Sequence, residues 1–138
     1  MRYFSFILCL FLLFFFACKK DVTSNPVQPI LNNNFKAPDS NGAISASVGD
    51  TIQIKILNTA SDAGYWWNIT TNFDSTISKL ISFNTEYTGA PGIDGAPTNE
   101  IWLYKALHSG ASSLTMKLYR SWEPDSIIST KSFNLTVN

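Results

Sequence analysis

The sequence predicts an all-β fold, an immunoglobulin-like antiparallel β-sandwich of about seven strands. Three observations predict it. Short runs of alternating apolar and polar residues recur from about residue 43 to the C-terminus, and Gly, Asp and Ser turn signals separate them. No stretch shows a convincing period of 3.6 residues, so we expect no helices. The chain has 138 residues, a length that suits one such domain with an appendage.

Four candidate strands lie in the first half of the predicted domain. They are residues 43–48, 51–57, 65–70 and, more weakly, 76–83. The run 51–57 places Ile52, Ile54 and Ile56 on one face, which is the period of two that marks a half-buried strand. The third run is aromatic and β-branched, a composition that favours strands.

Three further candidate strands follow. They are residues 100–106, 113–120 and 127–137. The second of them points Leu114, Met116 and Leu118 inward. The third alternates through Ile128, Phe133, Leu135 and Val137, with one break in phase near Thr130. No cysteine pair is available for the inter-sheet disulfide of antibody domains.

The aromatic residues of these strands divide into core and surface. Trp67, Trp102 and Tyr104 are predicted to fill the core, because aromatic side chains on inner strand faces commonly do so. Tyr65 has two open interpretations, as a core residue or as support for a loop. His108 lies in a turn and is predicted to be exposed.

Residues 1–17 are predicted to be a lipoprotein signal peptide. Met1-Arg2 gives a positive start, and an apolar run of about 14 residues follows. That run is shorter than the roughly 20 residues that a transmembrane helix needs, but it suits a signal peptide. Ala17-Cys18 resembles the end of a bacterial lipobox, which predicts lipidation of Cys18. A plain signal peptide and an uncleaved anchor are the alternatives.

Residues 18–40 are predicted to be a flexible tether, and residues 41–138 the folded domain. The tether segment is polar, is broken by Pro26, Pro29 and Pro38, and has no apolar periodicity. Cys18 is followed by a lysine and not by an acidic residue, which is compatible with outer-membrane sorting. We therefore expect a lipid-anchored protein of the bacterial cell envelope, on the periplasmic or surface face.

The composition argues against several classes of function. Ten basic and ten acidic residues give no net charge, which argues against a nucleic-acid partner. Removal of the signal would leave Cys18 as the only cysteine, and His108 is the only histidine. With Cys18 lipidated, such a chain lacks a thiol nucleophile, a disulfide and a His- or Cys-rich metal site. We predict a binding module with no catalytic residues, no metal and no cofactor.

Three segments suggest a binding surface. Residues 58–64 form a polar loop before the aromatic strand. Residues 87–98 form a long loop containing Gly and Pro, and long loops are commonly functional or disordered. Residues 120–124 place an arginine, a tryptophan and an acid at the end of a strand, and Arg and Trp are enriched in interface hot spots.

These segments resemble those of the chagasin-type inhibitors of papain-like cysteine proteases. That family has a Val-Gly-acid turn, an Asn-Pro-Thr-Thr-Gly loop before an aromatic-x-Trp strand, a Gly-rich loop before a strand ending in Lys-Ala, and an Arg-Pro-Trp loop often followed by Glu. The matching segments occur here in the same order: Val48-Gly49-Asp50, Gly64-Tyr65-Trp66-Trp67, Gly95-Ala96-Pro97-Thr98 with Lys105-Ala106, and Arg120-Ser121-Trp122-Glu123. The resemblance extends from about residue 43 to residue 138.

The resemblance implies reversible, noncovalent inhibition, in which three loops at one end of the sandwich block the protease cleft. Trp122 would supply apolar contact area, Arg120 hydrogen bonds at the rim, and the glycines a close backbone approach. The implied partner is a papain-like cysteine protease, and we expect a monomer. The implied contact residues are Ala60, Ser61, Asp62, Ala63, Gly64, Tyr65, Gly95, Ala96, Pro97, Thr98, Arg120, Ser121 and Trp122.

The first loop departs from the family pattern. Ala60-Ser61-Asp62-Ala63 stands in place of Asn-Pro-Thr-Thr, which removes a proline that fixes φ and two hydroxyl groups. Asp62 brings a charge that could pair with an imidazolium in the target or repel a thiolate. A noncatalytic adhesion or interaction domain with repurposed loops is therefore the alternative function, and a structural accessory lipoprotein is a third.

Several of these residues also have a purely structural interpretation. Arg120 could simply pair with Glu123 on the surface, and Gly64 could serve only the geometry of its turn. Asp62 could be an ordinary solvated charge. Exposure of Trp122 on projecting loops would favour inhibition, whereas loops folded flat on the sheet would favour the other classes.

Overall fold

Seven strands and one short 3-10 turn make up the part of the chain that the computed structural model describes, residues 35–90 and 94–138. The strands are β1 (Ala43–Ala46), β2 (Thr51–Asn58), β3 (Tyr65–Thr71), β4 (Ser78–Tyr87), β5 (Thr98–Ala106), β6 (Gly110–Arg120) and β7 (Ser129–Val137), and the turn is Ser61–Ala63. Both ranges belong to one compact unit, Asn33–Asn138. The all-β prediction is confirmed.

The strands form two sheets. One has four strands in the order β1-β7-β6-β3, and the other has three in the order β2-β5-β4. Neighbouring strands are antiparallel except for β1 and β7, which pair in parallel. The chain can make this one parallel pair because β1 and β7 are joined by the whole intervening domain and not by a hairpin.

The core lies between the inner faces of the two sheets. Ile52, Ile54 and Ile56 are buried on β2, and the inward residues predicted for β6 are also buried. The predicted core aromatics Trp67, Trp102 and Tyr104 belong to the same cluster. Because apolar residues at every second position meet across the sandwich, the period of two in the sequence translates directly into the core.

The ends of the predicted strands differ from the observed ones by up to four residues, and two of these differences bear on the core. The weak candidate at residues 76–83 is β4, which begins later and continues to Tyr87. The last strand begins at Ser129, so Ile128 lies outside it and is 55% exposed. The phase break near Thr130 therefore marks the start of the strand, and the core positions are Phe133, Leu135 and Val137.

The end of the predicted tether packs on the domain. The backbone N–H of Lys36 donates to Thr51 O at 3.0 Å, and Gln53 N–H donates to Lys36 O at 2.8 Å. The folded unit therefore begins before residue 41, because Lys36 bridges to the edge of β2. The predicted signal peptide, Cys18 and the tether up to residue 34 lie outside the described residues. Within the described ranges, no helix is long and apolar enough to cross a membrane.

Candidate functional site

Three loops lie at one end of the sandwich. β2 ends at Asn58 opposite Thr98, where β5 begins and β4 also ends. In the other sheet, β3 begins at Tyr65 opposite Arg120, where β6 ends. Loop 1 (residues 59–64), loop 2 (residues 88–97) and loop 3 (residues 121–128) therefore leave the same end, although residues 91–93 of loop 2 lie outside the described residues.

Loop 1 is a tight turn that presents Asp62 to solvent. The 3-10 turn ends at Gly64, which has a left-handed φ of 81° and donates its N–H to Ser61 O. The backbone N–H of Tyr65 closes the loop by donating to Ala60 O at 3.2 Å. Asp62 is exposed and accepts a hydrogen bond from Ala63 N–H at 3.0 Å. The loop thus has a defined shape without the family's proline.

A buried polar pair lies beneath loop 1. Asn58 and Glu100 are fully buried, and Asn58 Nδ2 donates to Glu100 Oε1 at 2.7 Å. Asn58 also bonds both sides of the loop, through Ala60 N–H at 2.9 Å and Tyr65 O at 2.7 Å. The Glu100 carboxylate accepts the backbone N–H of Trp67 at 3.3 Å. The pair therefore connects loop 1, β3 and β5.

Burial changes the acidity of Glu100. Loss of hydration raises the pKa of this carboxyl above its ordinary value, and the hydrogen bonds from Asn58 and Trp67 oppose that rise only in part. None of the ion pairs among the described residues involves Glu100. Both partners of Glu100 donate to it, so these hydrogen bonds favour the ionised carboxylate whereas burial disfavours it.

Glu100→Gln is expected to remove part of the pH dependence of stability. A raised pKa in the folded state means that wild-type stability falls as pH rises from about 4.5, the ordinary pKa, through the folded-state pKa. Glutamine cannot ionise. In urea unfolding from about pH 4 to about pH 8, the free energy of unfolding of the variant minus that of wild type should increase with pH and then level off. A difference that is constant with pH would contradict this.

Loop 2 contacts loop 1 through its C-terminal stem. Ser61 Oγ donates to Thr98 Oγ1 at 3.1 Å. Gly95 has a φ of 76°, and a methyl group on it would lie 3.2 Å from Asp62 Oδ2. Thr98, one of the predicted contact residues, is the first residue of β5 and only 9% exposed. Its hydroxyl supports Ser61. Ala96 and Pro97 are half-buried, whereas Gly95 is exposed.

Arg120 ties loop 3 to loop 1. Its guanidinium lies over the Tyr65 ring at 4.6 Å, and its Nε donates to Ala63 O at 3.1 Å. Nη1 pairs with Glu123 Oε2 at 3.2 Å. The surface pair with Glu123 is present, but it is not the only role of Arg120, because the same side chain also holds loop 1 through Tyr65 and Ala63. Tyr65, half-buried against the core, carries this stack and so acts as loop support.

Trp122 projects from loop 3. It is 69% exposed, and Ser121 beside it is also exposed. The edge of the Trp122 ring lies directly over Gly64, where a methyl group would be 2.2 Å from Cη2. Glu123 N–H donates to Arg120 O at 2.9 Å, which closes the turn that carries the ring. A glycine is therefore required at position 64 both by its φ and by the position of this ring.

Sequence analysis identified the loop residues but not the side chains that hold the loops in position, Asn58, Glu100 and Ser126. Asn58 was placed in the loop without a role, and Glu100 was assigned only to a strand. The available signal was their inward phase, since they extend the buried rows of β2 and β5. Ser126, whose Oγ accepts Arg120 N–H at 3.1 Å, carried no signal. Among the described residues, no group of His, Cys, Asp or Glu side chains is placed to hold a metal ion.

Sequence comparison identifies one matching family. The model of the chagasin family of peptidase inhibitors I42 matches residues 45–137, which is most of the chain. This range includes all three loops and all the predicted contact residues. A comparison with curated proteins found no match.

Solved structures with the same fold include three proteins of low identity. The crystal structure of the cysteine protease inhibitor EhICP2 from Entamoeba histolytica has a TM-score of 0.56 and 21% identity, covering 75% of this chain and 87% of that chain. The solution structure of amebosin has a TM-score of 0.50 and 22% identity, covering 75% and 96%. PbICP-C, solved in complex with falcipain-2, has a TM-score of 0.51 and 20% identity, covering 77% and 92%. At these identities the structures establish the fold alone.

Proposed function

Since the chain belongs to the chagasin family of peptidase inhibitors, we propose that it is a reversible, noncovalent inhibitor of papain-like cysteine proteases. Its family is one of inhibitors and not of enzymes, as the sequence predicted. Loops 1, 2 and 3 would enter the active-site cleft together and exclude substrate. Two proteins of the same fold support this class of target, because one is a cysteine protease inhibitor and another is seen in complex with falcipain-2.

One observation carries the proposal: three loops leave the same end, and the most exposed tryptophan of the described chain projects from them. Trp122 is 69% exposed, the edge of its ring packs on Gly64, and a backbone hydrogen bond closes the turn that carries it. A large apolar side chain held in position loses little entropy on binding, which is typical of interface hot spots. The ties among loops 1, 2 and 3 make the surface preorganised.

The test is a titration of papain and of a cathepsin L-type enzyme with the soluble domain, residues 33–138. We expect tight, reversible and competitive inhibition. No inhibition at high micromolar concentration, by a domain shown to be folded, would reject the proposal for these enzymes.

Loop 1 supports one alternative, a noncatalytic interaction domain of an envelope lipoprotein with repurposed loops. The exposed Asp62 carboxylate stands where the family has a threonine hydroxyl, and its charge would have to be desolvated in a protease cleft. Asp62→Thr separates the two functions. It should strengthen inhibition if the loop enters the cleft, whereas an interaction domain for another ligand would show no inhibition with either residue.

We also propose that the protein is anchored to the bacterial cell envelope by lipid on Cys18, most simply at the outer membrane, with the domain on the periplasmic or surface face. The support is the sequence of residues 1–18, in which a positive start, an apolar run and Ala17-Cys18 follow in order. Residues 18–34 would then connect the lipid to the domain. The anchor would hold the inhibitor in a compartment where secreted proteases pass.

Cys18→Ser is expected to abolish lipid attachment. Serine has no thiol, so no thioether to the lipid can form. The chain should therefore lose metabolic labelling by palmitate. It should accumulate either as a soluble protein or as the unprocessed precursor. Cys9→Ser is the matched control, because residue 9 lies within the predicted signal. Labelling that persists in Cys18→Ser would contradict the anchor.

A further inference from the structure

We infer that Asn58 and Glu100 are positioning residues, a buried pair that sets the shape of loop 1, a loop that contains no proline of its own. The effect on inhibition rests on the proposed function, but the effect on loop 1 does not. Neither residue is exposed to a partner, so both would act through the loop above them.

Asn58 joins the two stems of loop 1 with one side chain. Its Oδ1 accepts from Ala60 N–H at 2.9 Å, at the start of the loop. Its Nδ2 donates to Tyr65 O at 2.7 Å, at the end of the loop, and to Glu100 Oε1 at 2.7 Å. Both amide hydrogens and the amide oxygen are therefore used, which leaves the side chain one orientation.

Glu100 connects this arrangement to both sheets. Asn58 and Glu100 belong to the three-stranded sheet, whereas Tyr65 and Trp67 belong to β3 of the four-stranded sheet. The bonds from Asn58 to Tyr65 and from Trp67 N–H to Glu100 therefore cross the sandwich directly beneath the loops. Hydrogen bonds therefore link the two sheets at this end, in addition to the apolar core.

The position of the pair in the strand pattern indicates a specific use. Asn58 continues the buried row Ile52, Ile54 and Ile56, and Glu100 lies in the same buried row of β5 as Trp102 and Tyr104. An apolar pair would be less costly to bury at such positions. An apolar pair could not, however, hold Ala60 N–H and Tyr65 O, which the loop leaves free for a side chain.

Loop 1 has few constraints of its own. Residues 59–63 contain no proline, and the backbone bonds within the loop are those of a single short turn. From the sides it is held by Ser61 against Thr98 and by Arg120 against Ala63. Asn58 supplies the tie from below, and among the side-chain hydrogen bonds of the described residues only those of Asn58 reach both stems, beside the backbone bond from Tyr65 N–H to Ala60 O.

The test uses the full chain in a mild nonionic detergent and two readouts. One is hydrogen exchange of the amides of residues 60–65, and the other is the inhibition constant for papain. Asn58→Ala should raise both by about tenfold or more, because Ala60 N–H and Tyr65 O lose their partner. Tyr104→Phe is the control. Tyr104 is buried near the end of the sandwich opposite the loops, and its hydroxyl donates to Asn72 Oδ1 at 3.0 Å. Removing this bond should leave both readouts unchanged.

An exchange of roles provides a second test that keeps the size of both side chains. Asn58→Asp places two carboxyl groups against each other and should loosen loop 1. Adding Glu100→Gln restores one donor and one acceptor between the two positions and should recover part of the lost protection. This pair of variants decides the question if Asn58→Ala does not fold.

The outcomes separate the two proposals. Protection of residues 60–65 in Asn58→Ala that matches the Tyr104→Phe control, or no recovery in the double variant, would overturn the positioning role. Wild type that fails to inhibit papain while Asn58→Ala still loosens loop 1 would reject papain as a target and leave the positioning role supported. Loosening of loop 1 together with weaker inhibition would support both.

Discussion

Trp122→Ala is expected to weaken inhibition of the target protease by at least tenfold and to leave the stability of the free domain almost unchanged. The side chain is 69% exposed, so its removal creates no cavity in the folded protein. Burial of a tryptophan on binding is worth on the order of 2–3 kcal/mol at about 25 cal/mol per Å². Since tenfold corresponds to about 1.4 kcal/mol, tenfold is a lower bound for a ring at the centre of the interface.

The measurement is the inhibition constant of residues 33–138 for papain, beside the midpoint of thermal unfolding. Trp66→Ala is the matched control. Trp66 is 39% exposed, but it lies on β3 and outside loops 1, 2 and 3. Equal losses in both variants would show a general effect of exposed aromatic area, and no loss in Trp122→Ala would remove loop 3 from the interface.

The fold could be predicted because buried and exposed positions alternate along the strands of a sandwich, as apolar and polar residues do in the sequence. Ile52, Ile54 and Ile56 show this on β2, and the inward row of β6 shows it again. The prediction was weakest for β4, whose Ile81 and Phe83 are both exposed and which has an irregularity between Leu80 and Ser82. Almost every residue of β4 is exposed on both faces, so its sequence carries little period.

The candidate site could be located but not assembled from the sequence. The order of motifs located Gly64 and Trp122, and the structure places them in contact. The sequence could not show that Arg120 is occupied by Tyr65, Ala63 and Glu123, because residues 63 and 120 are brought together only by the pairing of β3 with β6. Thr98 was assigned to a loop because the sequence does not show that it pairs with Asn58, which makes it the first residue of β5.

The contacts of Arg120 change what its removal would mean. The pair with Glu123 is exposed and contributes little to stability. The bond to Ala63 O and the stack on Tyr65 instead hold loop 1 against loop 3. Weaker inhibition after substitution of Arg120 could therefore come from misplaced loops as well as from a lost contact. Substitution of Trp122 tests contact with the target more directly.

Gly64→Ala is expected to be the most damaging single change in the loops. A non-glycine residue at a φ of 81° costs roughly 1–2 kcal/mol of stability. In addition, the new methyl group would lie 2.2 Å from Trp122 Cη2, so the ring must move away. We expect a lower unfolding temperature and a loss of inhibition at least as large as that of Trp122→Ala.

Gly49→Ala separates these two causes. Gly49 also has a left-handed φ, of 90°, but a methyl group on it would meet nothing within 4 Å. This variant should lose a similar stability and keep its inhibition of papain. The double variant of Gly64→Ala with Trp122→Ala completes the argument, because a methyl group that acts by displacing the ring has nothing to displace once the ring is absent. Inhibition by the double variant should equal that of Trp122→Ala alone, and a further tenfold loss would contradict this, showing that position 64 acts on inhibition without the ring, through the backbone of loop 1.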